Sequence, residues 1–212
     1  MPNLPISQLP ELLSSGITSN TEFAVAEGGT TYKVKQGSLN PYPNVVGFFS
    51  QTGNTANLSG TSEQSIIGPG TGTLSVAANQ FRVGDTFSVY VSGHLSNNND
   101  SLQFRVKSDS VILADSGMVN YNTSGDEVNF SMDITFQILA IGGPGSASIQ
   151  TRAFWKTVKN SNFTVSGYSF ESTNNTTFDT TDGNNLDITI EFDNTNPATY
   201  LYTEMLVLDK IY

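Results

Sequence analysis

Residues 127–138 read EVNFSMDITFQI, with Val128, Phe130, Met132, Ile134, Phe136 and Ile138 apolar and a polar residue at every position between them. Side chains on a strand point alternately to opposite faces, so this run predicts a strand that buries one face and wets the other. The same period-2 alternation recurs at Phe87/Val89/Val91, Leu102/Phe104/Val106 and Leu186/Ile188/Ile190/Phe192, and no comparable stretch follows the 3.6-residue period of a helix. The expected fold class is therefore all-β, an antiparallel β-sandwich or barrel. Its function is expected to lie in its surface more than in chemistry.

Turn residues punctuate the pattern. Clusters such as Asn97-Asn98-Asn99-Asp100, Gly142-Gly143-Pro144-Gly145 and Asp182-Gly183-Asn184-Asn185 separate strands expected at 64–67, 72–77, 86–92, 101–107, 110–114, 127–140, 147–156, 162–170, 186–192 and 200–212. Eight to ten strands at this spacing suit a jelly roll or related sandwich. Upstream, residues 22–26 and 31–35 form a predicted hairpin around Gly28-Gly29, preceded by a short helical turn at 9–14 with Ser7 as its N-cap. Two strands alone bury too little apolar surface to be stable in water. The segment 36–60, with Pro41 and Pro43, reads as a linker whose Val45, Val46, Phe48 and Phe49 need cover, and a short strand is expected at 45–49. The organisation predicted is thus an N-terminal attachment or trimerisation segment at 1–60 and a jelly-roll-like head at 61–212. In the last strand Met205-Leu206-Val207-Leu208 is apolar at consecutive positions, which predicts burial on both faces.

Charge narrows the range of partners. Nine Lys and Arg against nineteen Asp and Glu leave a net charge of −10, with no basic cluster to meet a phosphate backbone, so nucleic acid is not an expected partner. No apolar stretch approaches the roughly 20 residues of a membrane helix, and MPNLPISQLPELL lacks the basic and apolar regions of a signal peptide. A soluble product made in a cytosol is the expectation. With no Cys in the chain, disulfides are excluded and stability must come from burial and association.

The block ISQLPELL…TEFAVAEGGTTYKVK resembles a segment of phage tail fibres and other viral appendage proteins, in which an SxLP lead precedes a GGTTYKV hairpin; Ser7, Leu9, Pro10 and residues 28–34 carry the match. The runs VGDTFSVYVSGHLS at 83–96, SLQFRVKSDSVILADSG at 101–117 and the closing LVLDKIY are similar to the heads that follow such segments. The resemblance implies a fibre-type structural protein of the virion, a homotrimer with β-rich heads, with other virion proteins and host surface glycans as partners. A lectin-like carbohydrate-binding module is the second expectation, and a glycan depolymerase the third.

Side chains that could carry chemistry are sparse. His94 is the only histidine, and without Cys or a second His it cannot build a usual zinc site. Asp179, Asp182 and Asp187 suggest an oxygen-donor loop but lack EF-hand spacing. Glu191 and Asp193 are candidates for paired carboxylates, yet alternation places them on the outward face. No catalytic residue, metal or cofactor is expected. Aromatic residues are the better candidates for a ligand surface: Trp155, Tyr121 and Tyr168 could stack on a sugar ring while neighbouring Asn and Asp bind its hydroxyls.

Overall fold

A computed structural model of the chain describes residues 22–27, 30–35, 46–121, 123, 125–159 and 164–211. It divides into two compact units, Met1–Asn44 and Val45–Tyr212. The first contains β1 (Glu22–Glu27) and β2 (Thr30–Lys35), an antiparallel ladder running from Glu22↔Lys35 to Glu27↔Thr30. The helical turn expected at 9–14, the Gly28-Gly29 turn, the prolines at 41 and 43 and Tyr212 lie outside the described residues.

The second unit is an antiparallel β-sandwich, with no helix among the described residues. Its strands are β3 (Val46–Gln51), β4 (Gln64–Ser65), β5 (Gly70–Gly72), β6 (Ser75–Val76), β7 (Thr86–Ser96), β8 (Ser101–Ser108), β9 (Val111–Asp115), β10 (Val119–Asn120), β11 (Glu127–Ala140), β12 (Ser148–Lys159), β13 (Thr164–Asn174), β14 (Asn184–Phe192) and β15 (Tyr200–Lys210). One sheet has seven strands in the order β13-β12-β11-β7-β15-β3-β5. The other follows β10-β8-β14-β4, with β9 on β8 and β6 on β14.

Alternation builds the core as expected. On β11, Val128, Phe130, Met132, Ile134, Phe136 and Ile138 are all buried while the residues between them face out. They meet Leu102, Phe104 and Val106 of β8 and Ile188, Ile190 and Phe192 of β14 from the opposite sheet. Val76, Phe81, Phe136 and Phe178 help to line an apolar pocket of about 50 Å³ that is partly open to the surface.

The sandwich begins earlier than residue 61. Strand β3 pairs with β15 through Phe49↔Leu208, Phe49 is 9% exposed, and Phe48 meets Phe87 edge-on at 5.5 Å. Phe48 and Phe49, which needed cover in the expected linker, thus find it against the sheet. Gln51 is tied in as well: its amide donates to the Thr203 carbonyl at 3.2 Å and its side-chain oxygen accepts from Gly68 N–H at 3.0 Å.

Burial on both faces of 205–208 is not what the structure has. The register slips between Thr203 and Met205, so Glu204 and Met205 both turn outward, Met205 being 45% exposed, while Leu206 and Leu208 go into the core. This is a β-bulge, one extra residue on β15 against β7. Gly93 lies against it on β7, and a β-carbon there would overlap the Tyr202 carbonyl. Only glycine leaves the room the bulge uses.

Candidate functional site

Of the three aromatic residues expected to bind a ligand, Trp155 is 1% exposed, packed between Phe104 at 5.8 Å and Tyr121 at 4.9 Å between ring centroids. Adjacent positions on β12 send Trp155 inward and Phe154 outward, and the inward ring offers solvent no face. The Trp155 indole N–H has no hydrogen-bond partner among the described residues. Tyr121 is half-buried with its hydroxyl on that of Thr157, and Tyr168 stacks on Phe170 at 6.5 Å while donating to the Ser116 carbonyl at 3.4 Å. Trp155 and Tyr121 sit together in the core layer. Tyr168 on β13 pairs directly with Trp155, so the three lie side by side on the inward side of the sheet, with Tyr168 39% exposed at its edge and the Trp155 ring covered.

The outer faces of the two sheets differ sharply in chemistry. On the six-stranded sheet, Arg105 reaches Glu191 at 2.7 Å, Asp115 at 3.3 Å and Glu63 at 3.6 Å. Gln103 donates to Asp115 at 2.6 Å, Lys107 reaches Glu63 at 3.2 Å, and Thr189 donates to Glu63 at 2.5 Å. The Thr189 hydroxyl, with Lys107 and Arg105, holds the Glu63 carboxyl below its ordinary range despite partial burial. Burial pushes the Asp115 carboxyl up, but hydrogen bonds from Gln103 and Gly117 N–H and the Arg105 charge outweigh it and hold the group low. Burial likewise opposes the charge on Arg105, and Glu191, Glu63 and Asp115 overcome it. Glu191 is thus an ion-pair partner of Arg105. Asp187, grouped in the sequence with Asp179 and Asp182, instead accepts from Ser65 at 2.5 Å, while Asp179 accepts from the backbone N–H of Thr181 at 2.7 Å.

The seven-stranded sheet presents a different surface. Pairing sets Ser92 opposite Ser131, with Tyr90 opposite Asp133 on one side and His94 opposite Asn129 on the other. Two small residues between larger ones leave a groove of about 260 Å³, which also touches Lys156 on β12 and Glu204 on β15. Three strand spacings of about 4.8 Å separate these two walls, roughly 14 Å.

His94 is held from three sides on this face. Its Nδ1 lies 3.3 Å from Glu127, its Nε2 lies 3.4 Å from Glu204, and the Tyr202 ring stacks on it at 4.9 Å with 19° between planes. Tyr200 donates its hydroxyl to Glu127 at 2.8 Å. That bond, with partial burial and the Glu127 charge, raises the Tyr200 phenol above its ordinary value. Burial first, then the charges of Glu127 and Glu204, do the same for Tyr202. Tyr90 is 39%, Phe154 40% and Met205 45% exposed on the same side of the sheet. Lys156 lies 3.7 Å from Asp133.

Sequence reasoning found His94 but not its neighbours, because Glu127 and Glu204 come from two other strands and meet it only through the register. The alternation that set Phe154 opposite in sense to Trp155 was the available signal for the exposed ring. No family model matches the sequence, and no curated protein matches it.

Proposed function

We propose that the chain is a viral structural protein of fibre or appendage type, carried in the virion, that acts by assembly and adhesion and makes or breaks no bonds. Its working form in this reading is a homotrimer of jelly-roll-like heads, with other virion proteins and host surface glycans as partners. One observation carries the assembly part: Tyr90, Phe154 and Met205 stand exposed on the outer face of a broad sheet, while the opposite sheet's outer face carries the ion pairs around Arg105. Apolar area of this kind gains about 25 cal/mol per Å² when another surface covers it. Clusters of such residues on an otherwise polar surface mark association sites.

Light scattering tests it. A chain of 22.8 kDa should run as a trimer at micromolar concentration, and Tyr90→Glu should weaken that trimer without unfolding the chain. A stable monomer refutes the proposal.

The groove over Ser92 and Ser131 favours a second reading, a lectin-like site in which Tyr90 supplies a ring face and Asn129, His94 and Glu204 supply hydrogen bonds to sugar hydroxyls. It predicts binding on a glycan array that is lost with Tyr90→Ala. An array signal indifferent to Tyr90 would reject this site.

A further inference from the structure

On the outer face of the seven-stranded sheet the bases of β12 lie beside Asp133 of β11 and Glu171 of β13, and further acids gather at the bulge of β15. The outward positions of β12 read Arg152, Phe154, Lys156, a ring between two bases. Those at the bulge of β15 read Tyr202, Glu204, Met205, an acid between an aromatic and an apolar side chain, with Glu127 and Tyr200 beside them. Arg152 is exposed and, although Glu171 stands opposite it on β13, makes no ion pair among the described residues, where the Glu204 carboxylate meets only the His94 ring. Both charges could be met by a partner of opposite sign.

Within one chain they cannot meet, because β11 and β7 lie between β12 and β15. A copy of the same chain has both rows. Elsewhere a surface with nineteen acids to nine bases repels its own copy, whereas here the base row of one copy faces an acid row on the next. The apolar members are matched in the same alignment, with Phe154 available to Tyr202 and Met205.

We infer that the homomeric contact is made by the β12 row Arg152–Phe154–Lys156 of one copy against the β15 row Tyr202–Glu204–Met205 of a second copy. The inference rests on the assembly reading above and adds to it the surface and the pairing. Arg152 sits over Glu204 and neighbouring Glu127, so each interface takes one row from each of two chains. A closed ring then leaves no row uncovered.

The absence of native cysteine gives a clean test in the full chain. A disulfide requires Cα atoms within about 7 Å, and the roughly 14 Å between β12 and β15 forbids one inside a chain. The double variant Arg152→Cys with Glu204→Cys, oxidised at micromolar concentration, should give covalently joined copies on a non-reducing gel, and either single variant should give far less. Reversing the charge supplies the second arm. Glu204→Arg should weaken association about tenfold or more, and adding Arg152→Glu should restore it.

Both substitutions are at exposed positions, and a circular dichroism spectrum unchanged from wild type confirms the fold of each variant. An oligomeric wild type whose double-cysteine variant stays uncrosslinked, or crosslinks no better than the single variants, overturns this pairing and leaves the assembly reading standing. So does a charge reversal with no effect on association. A monomeric wild type overturns both.

Discussion

Val76→Ile is expected to stabilise the sandwich and Val91→Ile to destabilise it, although each adds the same methylene group. Val76 packs against the core and lines the apolar pocket of about 50 Å³, whereas Val91 is 0% exposed and lies away from that pocket. One additional buried methylene is worth about 0.8 kcal/mol. That value is a ceiling on the gain, because the pocket is partly open and the added methylene does not leave water completely. Isoleucine keeps the β-branch that suits a strand, so little backbone preference is lost. At Val91 there is nowhere to put the carbon, and forcing it in costs about 1 to 3 kcal/mol.

Urea unfolding at one fixed protein concentration is the assay, since association couples to apparent stability. Fluorescence of the buried Trp155, the only tryptophan, provides the signal. With a slope of about 2 kcal/mol per M, the Val76 variant should unfold up to about 0.4 M later than wild type and the Val91 variant at least about 0.5 M earlier. A downward shift at Val76 as large as that at Val91 would refute the reasoning, because it would mean that the space is not available to a side chain.

Gly93→Ala should cost about 1 to 3 kcal/mol, since the Tyr202 carbonyl must move and the bulge with it; a thermal melt equal to wild type would show that β15 needs no glycine opposite. Acid should weaken the head through Glu63 and Asp115. Both carboxyls titrate below their ordinary values in the fold, so their stabilisation is complete above the unfolded range near 4 and is lost as pH falls through the lowered folded values. Melting temperature from pH 6 down to pH 2.5 reads this, and Arg105→Met, which removes the charge between the acids, should flatten the profile. Phe130→Ala, at 3% exposure in the middle of β11, should cost about 3 to 5 kcal/mol in the same unfolding assay, and a near-neutral change would mean that the ring contributes no core packing.

Strands with strict alternation were legible in the sequence, and β11 falls at 127–140 as its pattern requires. Where the pattern is broken by interaction with distant residues, reading failed. Phe48 and Phe49 were recognised as needing cover, but nothing local says that β15 supplies it. The run 205–208 looks two-sided because a bulge and a core strand leave the same mark, consecutive apolar residues, and only the register against Gly93 tells them apart. The short β10 has too few residues to show any period. The site fared less well than the fold. His94 is visible as a lone histidine, whereas its two glutamates and its tyrosine are joined to it by strand order, which no single segment encodes.

Strand order also governs timing. Strand β15 follows every other strand of the sheet in sequence yet lies between β7 and β3, and Gln51 bonds to Thr203 across 152 residues. Until β15 has been synthesised, β3 and β5 have no sheet to join, and β7 presents an open edge beside the apolar face of β11. Loop-closure entropy on that scale makes such pairings slow, and exposed apolar strands in the interval invite aggregation. A ribosome making this head therefore carries a nearly complete but unclosed sheet until β15 emerges, and the vulnerable period ends in a single insertion that joins the two parts of the sheet.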